Sequence, residues 1–203
     1  MLLMTRLLTI LCLLVTGTAS ADEEIARKQL VDANLLYATL DAGGNDNFHT
    51  GKMLSINYSY YFKTWLAATA GLLLTEEIPE KPQTDVAGDY RGIIETQAII
   101  LSIRPEHAFS VRNKVYGRAG VLVYQTELQV EQYFGTGLPN GTTSADTDGF
   151  GYMVAAGWAH NFTRRFSLQV ELNYMVQTDL FEESPNAFDL TSSSGGFGFA
   201  YAF

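Results

Sequence analysis

Residues 166–177, FSLQVELNYMVQ, alternate between apolar and polar side chains throughout. Successive side chains of a β-strand point to opposite faces, so this period of two predicts a strand with one apolar face and one polar face. The same clear alternation occurs at 53–62, 151–162 and 195–203, and weaker alternation occurs at 30–41, 65–76, 92–104 and 115–130. The sequence therefore predicts eight strands of about ten residues, the length that a tilted strand needs to cross a bilayer.

The segment that comes first in the chain, 30–41, allows a second interpretation. EEIARKQLVDANLL, which runs into it, is also compatible with a short helix. The start of the first strand is therefore left open between a strand and a helix.

The connections between the predicted strands alternate in length. Short ones lie at 63–64, 105–114 and 163–165, and longer ones lie at about 42–51, 77–91, 131–149 and 178–195. The third long connection contains FGTGLPNGTTSADTDG, which is rich in turn-forming residues and is expected to lack regular structure. Alternating short turns and long loops are typical of an up-and-down barrel in an outer membrane, with short periplasmic turns and long outer loops.

Charge divides the connections in the same way. The short turns and their edges are basic apart from Glu106, and the long loops are mainly acidic. The bases are Lys63, Arg104, Arg112, Lys114, Arg164 and Arg165; the acids are Glu76, Glu77, Glu80, Asp85, Asp89, Asp146, Asp148, Asp179, Glu182, Glu183 and Asp189. Length and charge thus agree on which end of the barrel carries the acidic outer loops.

The N-terminal segment has the three parts of a secretory signal peptide. Arg6 precedes an apolar stretch from Leu7 to Val15, and an A-x-A cleavage pattern follows at 19–21. We expect cleavage after Ala21, with a retained anchor as the alternative, and a mature β-barrel domain at 22–203. After residue 21 no run of 18 consecutive apolar residues predicts a membrane-spanning helix.

Cysteine content and charge exclude several classes of function. Cys12 is the only cysteine and lies in the signal segment, where Thr9-Ile10-Leu11 before it do not fit a lipoprotein site, so neither disulfides nor lipidation are expected. Removing Arg6 lowers the 13 basic residues to 12 against 22 acidic ones, a formal charge of −10. A chain this acidic is not expected to bind nucleic acid.

Alternation alone also fits a soluble barrel or a β-sandwich. Three features favour lipid around the apolar face: polar residues on the inward positions, small residues on others, and aromatic residues gathered near the turn-side strand ends. The predicted lumen residues include Arg118, Glu171, Glu95, Gln97 and Gln169, and the small ones Gly151, Gly157, Gly196, Gly198 and Ala200. The aromatic residues are Tyr60, Phe62, Trp158, Phe162, Phe166, Tyr201 and Phe203. A dry soluble core would reject unpaired polar groups, and aromatic rings prefer the membrane interface.

Together these features resemble the small outer-membrane β-barrel superfamily, which includes the OmpA-like transmembrane domain, OmpX and Opa. The most specific likeness is the C-terminal run, in which Phe197, Phe199, Tyr201 and Phe203 alternate and the last residue is Phe. The resemblance implies that these four residues form the signal read by the outer-membrane assembly machinery. The peptidoglycan-binding domain of full OmpA-type proteins is not expected, so cell-wall anchoring does not carry over.

Some small barrels of this kind modify lipid A, and such an enzyme needs a nucleophile and a base. His49 is placed in a long loop, His107 lies in a turn near Ser110, and His160 lies on the lipid-facing side of a strand. The spacing of His107 and Ser110 suits a base and a nucleophile, but the turn lies at the periplasmic end and lipid A lies in the outer leaflet. We expect no catalytic residues. Neither a calcium loop nor another metal motif is present, because DTDG at 146–149 is too short.

The sequence thus predicts an all-β, eight-stranded antiparallel up-and-down transmembrane β-barrel in the outer membrane of a Gram-negative cell. Its expected role is structural or surface-interactive, through acidic loops whose ligand the sequence does not identify. A lipid A-modifying enzyme and a narrow pore are the alternatives, and for the pair Arg118 and Glu171 a gate competes with a structural lumen network. The expected partners are membrane lipid, lipopolysaccharide and the assembly machinery. The barrel is expected to be a monomer without a cofactor or a metal.

Overall fold

The computed structural model describes residues 28–42, 48, 50–84, 88–134, 140–181 and 188–203. The predicted signal peptide at 1–21, with Cys12, and His49 in the first loop lie outside these residues. The described residues contain no helix that is long and apolar enough to span a membrane.

Ten antiparallel strands make up the described part of the chain. They are β1 (Gln29–Ala42), β2 (Gly51–Lys63), β3 (Leu66–Thr75), β4 (Ile78–Pro79), β5 (Gln83–Thr84), β6 (Gly88–Ala108), β7 (Asn113–Phe134), β8 (Gly141–Asn161), β9 (Phe166–Leu180) and β10 (Phe188–Ala202). The segment before Ala42 is a strand from Gln29 onward, so the helical interpretation does not hold for the described residues of this segment.

Eight of these strands form a closed ring. Each long strand pairs with its neighbour in the chain, β3 pairs with β6, and β1 pairs with β10 to close the ring. The two-residue strands β4 and β5 pair with the outer end of β6. Closure gives every ring strand two neighbours, so backbone groups find partners without water, as a bilayer requires. The predicted all-β, eight-stranded antiparallel barrel is confirmed.

Side chains alternate between a buried lumen and an exposed exterior. On β9, Ser167, Gln169 and Glu171 are buried, whereas Val170 and Leu172 are exposed on the outside. Phe197 and Phe199 of β10 likewise face outward. The exterior apolar face is thus the lipid-facing surface of the barrel.

Aromatic rings gather at the end of the barrel that carries the short turns. The rings of Phe166, Tyr201 and Phe203 meet edge to face in sequence, with centroids 4.9 Å apart at each step. On the neighbouring strand, His160 lies between Trp158 and Phe162. Such rings suit the boundary between headgroups and hydrocarbon, so they mark one membrane interface.

Three strands are much longer than predicted. β6, β7 and β8 each have 21 or 22 residues, and their outer ends continue past the neighbouring strands of the ring. The expectation that residues 141–149 lack regular structure is wrong, because they form the first half of β8. The register of β7 with β8 runs without a shift from Asn113↔His160 to Gln132↔Gly141. The threonines at 142, 143 and 147 are β-branched and suit a paired strand better than a loop.

Candidate functional site

A buried ion cluster lies in the lumen near the short turns. Arg104 is fully buried; its Nη1 donates to Asp32 Oδ2 at 3.1 Å and its Nε donates to Glu106 Oε1 at 2.8 Å. Lys114 Nζ donates to Glu106 Oε2 at 2.8 Å, and the Tyr61 hydroxyl also donates to Glu106. The alternation of β1, β2, β6 and β7 aims these side chains inward from four strands, so the cluster ties the strands together across the lumen.

The carboxylate of Asp32 has further partners. The side-chain amides of Asn34 and Asn57 donate to its Oδ1 at 2.6 Å and 2.7 Å. A buried carboxylate without partners costs on the order of several kcal/mol, so these hydrogen bonds offset part of the cost of burying Asp32.

Tyr116 links this cluster to a second one. The Arg104 guanidinium lies 3.9 Å from the centroid of the Tyr116 ring, and the Tyr116 hydroxyl donates to Glu171 Oε2 at 3.1 Å. The ring lies across Gly157, where an added Cβ would come within 2.3 Å of the Tyr116 ring carbon Cζ. Glycine at this position therefore makes room for the link.

The second cluster contains three of the five polar lumen residues named in the sequence analysis. Arg118 Nη2 donates to Glu171 Oε1, and Gln169 Oε1 accepts from the Tyr116 hydroxyl at 3.3 Å. Arg118, Glu171 and Gln169 are all at least 97 % buried, with exposures of 3 %, 1 % and 0 %. The structure brings these three side chains together.

Glu95 does not join them. Its neighbours Ile94 and Thr96 are buried in the lumen, so Glu95 faces outward, as does Gln97, and the predicted lumen position is corrected for both. The physical reason is that β6 is apolar on both faces. Ile94, Ala98 and Ile100 fill the lumen while other apolar side chains face lipid. Alternation therefore did not show which face of this strand points inward.

The lumen charges of the described residues balance. Asp32, Glu106 and Glu171 oppose Arg104, Lys114 and Arg118, and each carboxylate touches at least one of these bases. A neutral, mutually paired set is the form in which buried charges are tolerated inside a membrane. This favours a structural network over a free charge that selects ions.

An apolar cluster fills the lumen on the side of the long loops. Each of the eight ring strands contributes to it, and loop-side residues pack over it. The cluster contains Leu36, Ala38, Leu40, Met53, Leu73, Ile78, Ile94, Ala98, Ile100, Leu122, Tyr124, Met153, Met175, Leu180 and Leu190. Because every ring strand contributes to it, we expect this cluster to close the lumen to ions.

Planar-bilayer recordings are therefore expected to show no unitary conductance steps for the protein or for the Glu171→Gln variant. The substitution changes the polar half of the lumen and leaves the apolar cluster in place. Folded protein in the bilayer is verified beforehand by heat-modifiable migration on a gel. Steps whose size depends on Glu171 would contradict a closed lumen and support the pore.

Beyond the last apolar row, three strands form what we call the β6–β8 extension: residues 88–97 of β6, 125–134 of β7 and 141–148 of β8. Its outer face becomes polar one step beyond the row Ile99–Val123–Phe150, the last apolar row on these strands. The ten residues of β7 in the extension span about 33 Å at a rise of about 3.3 Å per residue. The extension is therefore about as long as the membrane-crossing part of the same strand.

The outer face of the extension is acidic. Glu95 lies opposite Glu127, and Glu127 lies opposite Asp146, so three carboxylates form one row across the three strands. Asp148 lies one row nearer the membrane, opposite Gln125. Directly opposed residues of antiparallel strands share a face, so these charges face the same side.

The extension also has one basic residue, Arg91, which forms an ion pair within the extension. Arg91 Nη2 donates to Glu131 Oε2 at 2.6 Å. This hydrogen bond lowers the pKa of Glu131 and raises the pKa of Arg91. Among the described residues, no ion pair involves Glu95, Glu127 or Asp146.

Two of the side chains considered as catalytic candidates, Ser110 and His160, have hydrogen-bond partners in and beside the turn at Asn113. Ser110 Oγ accepts hydrogen bonds from the backbone amides of Arg112 and Asn113 and from the Asn113 side chain, so it stabilises the turn. His160 faces outward and its Nδ1 pairs with Asn113 Oδ1 at 2.8 Å. In the part of the chain that the structure describes, no group of three or more His, Cys, Asp or Glu side chains is arranged to hold a metal ion.

The closed ring, its aromatic exterior and its paired polar lumen define an integral β-barrel of the outer-membrane class. The chain belongs to the family described as outer membrane protein beta-barrel domain, whose model matches residues 8–203. The predicted family and the outer-membrane location are thereby confirmed.

Solved structures with the same fold have little sequence in common with this chain. Neisserial surface protein A has a TM-score of 0.62 at 12 % identity, covering 86 % of this chain and 97 % of its own. Ail, the attachment invasion locus protein of Yersinia pestis, has a TM-score of 0.55 at 12 % identity, covering 88 % and 100 %. The outer membrane protease OmpT of Escherichia coli has a TM-score of 0.56 at 8 % identity, covering 92 % and 100 %. No curated protein sequence matches the chain significantly. At these identities the likeness shows the fold alone.

Proposed function

We propose that this barrel is a display scaffold that holds the β6–β8 extension at the cell surface to contact a cationic macromolecular partner. The observation that carries the proposal is the extension itself. Three strands continue as ordered, paired structure for about ten residues beyond the last apolar row, and this continuation adds nothing to membrane insertion. Regular structure that stands in water on a rigid scaffold is where such folds carry function.

The acidic outer face indicates the charge of the partner. The outward row of Glu95, Glu127 and Asp146 favours a basic surface and repels a polyanion. Ail has been solved with sucrose octasulfate, a heparin analogue, so that neighbour binds a polyanion. The opposite preference is proposed for this chain because its exposed face carries carboxylates.

The remaining parts of the proposal concern the barrel. The C-terminal residues Phe197, Phe199, Tyr201 and Phe203 serve the assembly machinery, and the exterior contacts lipid and lipopolysaccharide. The barrel acts as a monomer and not as an enzyme. The engagement of Ser110 in its turn supports the last point, because a nucleophile must be free to attack.

Trimming the extension tests the proposal. Replacing residues 127–146 with Asn-Gly joins Thr126 to Thr147, which face each other across β7 and β8, through a turn that suits a two-residue hairpin. In phosphatidylcholine vesicles, the full chain is expected to bind immobilised poly-lysine at low salt, and the trimmed chain is expected to lose most of that binding. Both should migrate as heat-modifiable barrels. Equal retention of the two proteins would overturn the proposal.

A further inference from the structure

One edge of the β6–β8 extension is open. β8 pairs with β9 only from Gly151↔Gln177 to Asn161↔Ser167, whereas it pairs with β7 up to Gly141. Two contacts fasten the base of the extension to β9. Thr178 Oγ1 donates to the Phe150 carbonyl at 2.8 Å, and the amide of Phe181 donates to Thr147 Oγ1 at 3.2 Å. Among the described residues, the backbone of 141–146 has β7 as its only strand neighbour.

The open edge lacks the usual protection against strand pairing. Natural edge strands are blunted by lysine, proline, bulges or a covering segment. The edge sequence at 141–146, GTTSAD, contains neither lysine nor proline, and the register with β7 continues through it without a bulge. A regular edge of six residues, about 20 Å long, therefore presents amides and carbonyls that no strand among the described residues pairs with.

The negative charge beside this edge favours some partner strands over others. Asp146 and Asp148 lie on the outer face of the edge strand, with Glu127 directly behind Asp146. A second copy would bring the acidic outer face of a second extension beside the first, which like-charge repulsion disfavours. A strand with basic side chains at every second position would place them beside the aspartates.

We infer that the edge of β8 at 141–146 binds an extended segment of a partner protein by strand addition, and that this segment carries Lys or Arg at alternate positions. Backbone hydrogen bonds to the edge supply the alignment, and the acidic outer face supplies the selection, as in other recognition by added strands. This inference rests on the proposed surface role and names its partner class and its mode of binding.

Three fluorescent peptides of eight residues test the inference on the full-length barrel in phosphatidylcholine vesicles. The first alternates Thr and Lys, the second has the same sequence with N-methylated amides at alternate positions, and the third has Glu in place of Lys. The first should bind, measured by fluorescence anisotropy, and should slow amide hydrogen exchange at 141–146. The N-methylated peptide and the Glu peptide should bind at least about tenfold more weakly, since one loses backbone donors and the other has the wrong charge.

A charge reversal at the edge provides the matched control. Asp146→Lys should weaken binding of the Lys peptide by roughly three- to tenfold, whereas Glu77→Lys, the same charge change on the loop after β3, should have little effect. Equal binding of the normal and N-methylated Lys peptides would overturn strand addition while leaving the cationic surface role intact. No binding of the Lys peptide would also overturn it, and slow exchange at 141–146 in the free protein would then indicate another occupant of the edge.

Discussion

Replacing Arg104 with Ala is expected to destabilise the barrel by about 3–5 kcal/mol, the typical loss when one member of a buried ion pair is removed. The guanidinium contacts both Asp32 and Glu106 in a fully buried position. Its removal leaves Asp32 without a positive partner, while Glu106 keeps Lys114. The measurement is urea-driven unfolding in lipid vesicles, followed by intrinsic fluorescence and by heat-modifiable migration.

Two controls separate this loss from a general effect of charge. Lys63→Ala removes an exposed base at the same end of the barrel and should change the stability by less than about 1 kcal/mol. The double variant Arg104→Met with Asp32→Asn removes both charges together and should recover a substantial part of the loss. A single variant as stable as the parent protein would show that the ion cluster does not hold the strands together.

Replacing Leu172 with Arg is expected to cost about 2–4 kcal/mol, the range for a base on the lipid face near the middle of a bilayer. Leu172 is 67 % exposed on the outer face of β9, between Val170 and Tyr174. Its exposure is to hydrocarbon and not to water, so an arginine there must leave its favourable solvent. The same unfolding measurement in vesicles gives the loss.

Thr142→Arg is the matched control, because Thr142 is also exposed and outward-facing but lies in the β6–β8 extension. It should leave the unfolding midpoint nearly unchanged. If Leu172→Arg were as mild as Thr142→Arg, the apolar exterior of the barrel would not be in contact with lipid.

The sequence was sufficient to predict the ring because a period of two is a direct consequence of strand geometry. The alternation of β9 and β10 is clean, since each has one face in lipid and one face in a lumen of polar or small residues. Loop lengths and charges were sufficient to order the strands as an up-and-down barrel. The partner of Arg118 was predictable for the same reason, because Glu171 lies on a strand whose inward side was clear.

Where both faces of a strand are apolar, alternation does not show which face points into the lumen. The sequence of β6 carries isoleucines on both sides, so Glu95 was placed in the lumen although it faces outward. Arg104, the last residue of the predicted strand, was counted only as a base at the edge of a turn, although it lies at the centre of the ion cluster. Asp32 and Tyr116 were missed with it. Both residues could have been predicted by counting in steps of two. Asp32 lies two residues before Asn34 on the inward face of β1, and Tyr116 lies two residues before Arg118 on the inward face of β7.

The outer half of β8 was missed for a different reason. Gly, Thr, Ser and Asp at 141–149 are common in turns, and local propensity alone predicts a loop. The strand forms because β7 continues beside it and supplies a partner for every residue, so tertiary pairing overrides local preference. The proposed interaction surface thus arises from a pairing that local composition does not reveal.

We place the β6–β8 extension outside the cell and the short turns in the periplasm. Single-cysteine labelling of intact cells with a membrane-impermeant maleimide tests it directly, in a Cys12→Ser background that leaves no other thiol. Ser144→Cys on the extension should label in intact cells, and Val111→Cys, at a turn position that is 97 % exposed, should label only after the outer membrane is opened. Labelling of the Val111→Cys variant but not of the Ser144→Cys variant in intact cells would contradict the claim.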